Sequence, residues 1–286
     1  MRSRTWRNNA GAVVFLVALG LLAGGCGAKT GLNTPDAQVV VDAGVDATIP
    51  CFEVPLDGGP VNVDLEVEAE VGRADVVFLV DTTGSMNDEI SVIRARLRDR
   101  IVPAIRSAIP DSELAVATFA DFPVRPYGNA GEDTPFRLMT PRTSDVTLAQ
   151  AAVDAIRLGN GIDPPESQVE ALYQLATGEG LSPYVSPSLG CPAGGLGYAC
   201  LRSDALPVIL LFTDAEMHNG PGGANPYEPS ILGVSPHTFA EAISALDALG
   251  AKVIGFDSGD GAGRPHLRAV ALGTGTLDGR GQPLVF

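Results

Sequence analysis

Two rhythms of apolar residues alternate along the chain from about residue 74 onward. Ala74–Val80 is a nearly continuous apolar run closed by Asp81, the pattern of a strand buried on both faces of a parallel sheet. Ile90, Ile93, Leu97, Ile101 and Ile105 then recur at helical spacing, predicting an amphipathic helix over 88–108. Leu114–Phe119 reads as a second strand and Phe136–Met139 as a weaker one, with helices at Val146–Ile156 and Ser167–Ala176. Leu206–Phe212 is another all-apolar strand, ending in Thr213 and Asp214. A helix at His237–Leu249, a strand at Lys252–Phe256, a helix at Pro265–Leu272 and a short final strand at Pro283–Phe286 complete the pattern. Strand and helix in this alternation predict an α/β fold: a doubly wound, mostly parallel central sheet with helices on both faces. In such sheets ligands collect at the carboxyl ends of the strands, where Asp81 and Asp214 fall.

The segment Asp81-Thr82-Thr83-Gly84-Ser85-Met86 carries the most specific chemistry. A strand-to-helix turn with Asp81, Thr83 and Ser85 at alternate positions aims one carboxylate and two hydroxyls into one pocket, and Gly84 eases the turn. Oxygen donors without nitrogen or sulfur suit hard cations such as Mg²⁺ or Ca²⁺, and Asp214 offers a second carboxylate. Read structurally, the same residues would cap a helix and accept backbone hydrogen bonds.

The run Asp75–Met86, "DVVFLVDTTGSM", resembles the metal-ion-dependent adhesion site of the von Willebrand factor type A fold. "SMNDEI", "FADFPVRPYG" (Phe119–Gly128), "GIDPPES" (Gly161–Ser167) and "LLFTDAEMH" (Leu210–His218) resemble, in order, segments of its integrin β-subunit branch. The resemblance spans roughly residues 74–286. It implies a Rossmann-like fold in which Asp81, Thr83, Ser85, Glu166 and Asp214 hold or surround a central ion, Mg²⁺ with Ca²⁺ or Mn²⁺ as substitutes. It implies an adjacent ion on Asp88 and Glu89, and a third on Asp163, the Pro165 carbonyl and Gly161. Thr83 stands where the family has serine, and Gly161 where an asparagine ligand is common. The expected function is capture of a carboxylate on a protein or envelope ligand, with the loops at Cys191–Cys200 and Asn219–Ser235 shaping the rim. The resemblance implies a further C-terminal helix that the sequence does not reach by Phe286; the expectation is either a truncated sequence or a domain without integrin-type switching.

The N-terminus supplies the compartment. Arg2, Arg4 and Arg7 precede an apolar run, Ala10–Ala23, and Gly24, Gly25 and Cys26 follow; this is a secretory signal rather than a span of about 20 residues. Leu22–Cys26 resembles a bacterial lipobox one small residue too long. Residues 1–25 are therefore expected to be a lipoprotein signal peptide, Cys26 the lipidated residue, 26–60 a flexible tether and 61–286 the domain, lipid-anchored in the cell envelope. Loss of the signal removes three of 19 basic residues and none of the 34 acidic ones, leaving a net charge of −18. So acidic a chain is a poor partner for nucleic acid or anionic lipid. Cys191 and Cys200 can close a disulfide in an oxidising compartment, and Cys51 is left over.

Two other classes compete. The Asp81 turn superficially resembles that of haloacid-dehalogenase-like phosphatases, with Asp81 as nucleophile, but Thr83 stands in place of their second acid. Lys252 is the one lysine besides Lys29 after the signal. An envelope scaffold with a structural metal is the other. A serine hydrolase is disfavoured: His218, His237 and His266 are the only histidines, and Ser85 lacks the Gly-x-Ser-x-Gly setting; His218, after the Phe-Thr-Asp strand end, could line the site but reads rather as a loop histidine bonded to backbone. The expectation is a binding domain, not an enzyme.

Overall fold

The computed structural model describes residues 71–286; the expected signal peptide, Cys26, the expected tether, Cys51 and positions 61–70 of the expected domain lie outside the described residues. Five strands form one mixed sheet in the order β3-β2-β1-β6-β7. These are β1 (Arg73–Asp81), β2 (Asp111–Phe119), β3 (Arg137–Thr143), β6 (Leu206–Thr213) and β7 (Lys252–Asp257), with a small ribbon of β4 (Gly195–Leu196) and β5 (Leu201–Arg202) between. All main-sheet pairings are parallel except β2 with β3. The chain steps outward from β1 to β2 and β3, then returns to the other side of β1 at β6. The carboxyl ends of β1 and β6 therefore flank the point where the winding reverses, the usual crevice for a ligand.

Alternation along β1 assigns the two faces. Val76, Phe78 and Val80 pack with Leu114 and Val116 against α1 (Asn87–Arg96), α2 (Val102–Ala108) and α3 (Val146–Asp154). Val77 and Leu79 pack with Ala117, Ile209 and Leu211 against α4 (Gln168–Thr177), α6 (Phe239–Leu249) and α7 (Arg264–Gly273). Between Pro229 and Leu232 lies the short α5. Successive side chains of a strand point to opposite faces, so both faces of β1 are covered and the sheet is doubly wound.

Two expectations change in detail. The helix expected over 88–108 is interrupted by a wide π turn at Leu97–Ile101. Pro103 lies just beyond it and has no N–H to continue the ladder. The expected final strand is only a bridge, Val285 beside Gly255, although the Gly255 N–H donates to the Leu284 carbonyl at 3.2 Å and the Gly255 carbonyl accepts from the Phe286 N–H at 3.0 Å.

Candidate metal centre

Asp81, fully buried at the end of β1, is held from both sides. Its Oδ1 accepts from the Thr83 backbone N–H at 2.9 Å and the Thr83 hydroxyl at 2.7 Å; its Oδ2 accepts from the Thr213 hydroxyl at 2.7 Å. Gln168 donates in turn to Thr213 at 2.9 Å, so β6 and α4 orient a carboxylate of β1. Ser85 Oγ lies 3.4 Å from Thr83 Oγ1 and is exposed, so the oxygens run from a buried base to an open mouth. Burial, and then the charge of Asp214, push the Asp81 carboxyl up to about 6 against its hydrogen bonds.

Three loop segments are laced together beside this turn. Ser167 N–H and hydroxyl both donate to the Ala120 carbonyl, at 3.0 and 2.7 Å. Glu166 N–H donates to the Glu216 carbonyl at 2.9 Å, and His218 N–H to the Glu166 carbonyl at 2.8 Å. This lacing turns the Glu166 side chain inward: it is 3% exposed, and its Oε2 has no hydrogen-bond partner. A Cβ on Gly161 would lie 2.9 Å from Glu166 Oε1 and 3.4 Å from Thr83, so Glu166 and Thr83 share one small space. Burial first, then Asp81 and the neighbouring Asp121, Asp133 and Asp163, drive its carboxyl up to about 12. Among the described residues no Arg, Lys or His forms an ion pair with Asp81, Glu166 or Asp214.

The resemblance's central set is thus brought to one edge of the sheet, with a half-buried Asp214 just after β6. The third set changes composition. Gly161 contributes no side chain; its φ is +58°, and a Cβ there would press on Glu166 Oε1 at 2.9 Å. In its place, Asp121, Asp163 and His218 each turn a ligand atom to within 4.8 Å of the others, the group of this kind found among the described residues. Pro165 lies half-buried between Asp163 and Glu166. Asp88 and Glu89 sit in the first turn of α1, Asp88 exposed and bonded only to Asn87 at 3.3 Å. Acids there also suit a helix N-terminus, and among the described residues no third carboxylate converges on them.

Sequence reasoning passed over Asp121 and left His218 as a loop histidine bonded to backbone. The bond exists, from Nδ1 to the Asn225 carbonyl at 2.7 Å, but the other ring nitrogen faces the acids. The missed signal was the residue after "FA" in "FADFP": two positions beyond β2, it belongs to the same carboxyl-end edge as Asp81. Lys252, needed for phosphoryl transfer, begins β7 in register with Val208, while Asp257 is level with Thr213. It therefore sits at the opposite edge, bonded to the Thr274 carbonyl at 2.8 Å. The expected disulfide, Cys191–Cys200, is present.

No family model and no curated protein matches the chain. Among solved structures it is similar to proximal thread matrix protein 1 from the mussel byssus, at 14% identity and a TM-score of 0.36, over 65% of this chain. The chain spans 38% of that protein's length.

Proposed function

We propose that this chain is a divalent-cation-dependent binding domain of the von Willebrand factor A type, close to the integrin β branch, carried on an exported lipoprotein. Asp81, Thr83, Ser85, Glu166 and Asp214 would hold Mg²⁺, or Ca²⁺ or Mn²⁺, and the ion's outward position would take a carboxylate from a protein or envelope ligand.

One observation carries this reading: two carboxylates, Asp81 and Glu166, are buried side by side with no cationic partner, and Glu166 Oε2 has no hydrogen bond. A buried charge is expensive unless paired or bound to metal, and an all-oxygen donor set with two hydroxyls suits a hard dication. The bound ion would supply a Lewis-acidic seat for an incoming anion. Thr213 and Gln168 keep Asp81 aimed, and the exposure of Ser85 leaves the mouth open.

The test measures thermal stability with EDTA, Mg²⁺, Ca²⁺ or Mn²⁺, and retention of the protein on a carboxylate-bearing resin under the same conditions. Metal should raise the melting temperature and retention together, and Asp81→Ala and Asp214→Ala should abolish both. Metal-dependent stability without metal-dependent retention would instead favour the structural-metal scaffold.

A further inference from the structure

We infer that His237 and Glu170 form a pH-sensitive clasp that fastens the returning limb of the Asn219–Ser235 loop to α4, tight when the imidazole is charged and slack when it is neutral. The inference concerns this loop alone and stands whether or not the carboxyl edge binds a cation.

The loop is held unevenly. Its middle is anchored: the Tyr227 hydroxyl bonds Asp121, and the Leu232 carbonyl accepts from the Tyr184 hydroxyl at 2.7 Å. The limb that returns to α6 has far less. Among the described residues Val234 and Ser235 donate no backbone hydrogen bond, and Pro236 has no N–H to donate. Asn219, at a φ of +48°, ties the two ends together, its Nδ2 donating to the Pro236 and His237 carbonyls at 3.3 and 3.0 Å. The other hold on this limb is His237, whose N–H donates to Glu170 Oε2 at 2.9 Å.

Glu170 is a buried charge in need of a cation. It lies in the first turn of α4, is 1% exposed, and accepts from Gln174 Nε2 at 2.7 Å. The His237 Nδ1 stands 3.0 and 3.1 Å from its two oxygens, and among the described residues His237 is its one ion-pair partner. A buried carboxylate is costly unless paired, and here the pairing exists only while the imidazole carries its proton. The ring is held for the task, flat on Tyr173 with centroids 3.5 Å apart at 13°. Tyr173 is itself fixed by its hydroxyl, which donates to Glu179 at 2.8 Å.

The charged groups facing His237 are all acidic: Glu170 on α4, Glu179 just after it and Glu241 in the first turn of α6. Burial opposes the charged ring, the bond and charge of Glu170 and then Glu241 and Glu179 favour it, and the balance lifts the imidazole above its ordinary 6.5. The clasp is therefore complete below 6.5 and is lost as pH rises through the higher folded value. A neutral ring still donates from Nδ1, but Glu170 is then left without a cation. Thr238, the next residue, caps α6 with its hydroxyl and is bonded in turn by Glu241, so a slack clasp frees the limb without unwinding the helix. Asn225 of the same loop bonds His218 and Glu216, so the device sets how firmly the rim stands at the carboxyl edge as pH changes.

The test follows hydrogen exchange by mass spectrometry over residues 233–238 of the full chain in EDTA, at steps from about pH 6 to 9 and corrected for intrinsic rates. Carbon-13 spectra of the three histidine rings give their titrations in parallel. Wild type should lose protection in this limb several-fold as His237 deprotonates. That titration should lie above 6.5, whereas His218 and His266, both held low by burial, titrate below it. His237→Gln keeps a donor and cannot charge, so its limb should be slack at every pH, with the step erased. Should circular dichroism show that variant unfolded, Glu170→Gln should erase the step and lower the His237 titration. A step that persists in either folded variant, a limb in wild type whose protection does not change with pH, or a His237 that titrates at or below 6.5 would overturn the inference.

Discussion

Strand β1 carries two buried aspartates, and the protein treats them in opposite ways. Asp75, near its start, is 1% exposed and closed on by arginine: the Arg202 guanidinium is 2.7 Å away, that of Arg142 3.7 Å. The Arg202 backbone N–H adds a third contact at 2.5 Å. Asp111 and Glu113 complete this network at the amino edge of the sheet. Asp81, at the strand's other end, is equally buried and meets only hydroxyls and a backbone N–H; beyond it lie more acids, not arginines. The same fold thus supplies arginine where a buried carboxylate serves only architecture. At the carboxyl edge no arginine answers the buried carboxylates, the feature on which the proposed cation binding rests, and four predictions probe the contrast.

The largest effect falls on the paired end. Asp75→Ala takes from Arg202 its one fully buried partner, leaving the more exposed Asp111 and Glu113, and should cost about 3 kcal/mol, the low end for a broken buried pair, equally with EDTA or with Mg²⁺, as read by urea denaturation. Equal sensitivity to metal at both ends would erase the distinction.

Next comes pH. The folded pKa of Asp81 is raised to about 6, so folding takes up a proton between the unfolded value of about 3.8 and 6. The stability this group contributes to the metal-free protein is therefore fully present below that window and is lost as pH rises through it, by about 3 kcal/mol. Glu166, also shifted upward, adds in the same direction. Saturating Mg²⁺ should flatten the profile above pH 6, because the ion replaces the proton; melting curves at stepped pH, with and without EDTA, read this directly.

A smaller effect comes from the disulfide, since the Cys191–Cys200 hairpin carries Arg202 to Asp75. Replacing both cysteines by serine should cost about 2–3 kcal/mol for a loop this short, without changing Mg²⁺ affinity in calorimetry.

The smallest prediction has the opposite sign. Asp81→Asn removes an uncompensated charge and should stabilise the EDTA-treated protein at pH 7 by about 2 kcal/mol, while abolishing the response to Mg²⁺. The gain stays below the full pH effect because the new amide competes for Thr213, which already accepts from Gln168.

Much of the carboxyl edge was legible in the sequence because it depends on local order. An apolar run ending in Asp81, and another ending in Thr213 and Asp214, place those residues at strand ends whatever the loops do. The doubly wound sheet followed from the same alternation. The π turn was not legible, since one proline inside a strong helical period signals a kink without its form. Nor was the role of His218 or Asp121. Their meeting with Asp163 depends on three loops laced by backbone hydrogen bonds, which leave no periodic trace. Nor was the approach of Glu166 Oε1 to Gly161, 2.9 Å from where a Cβ would stand, announced by any local pattern.

The central claim, that the Asp81 turn binds a hard dication, is tested most directly by calorimetric titration of EDTA-stripped protein with Mg²⁺ at pH 7, wild type against Asp81→Asn. The account predicts a saturable heat in wild type that is absent in the variant, although the variant is folded and more stable before metal is added. Identical titrations, or a folded wild type that takes up no Mg²⁺, would contradict it.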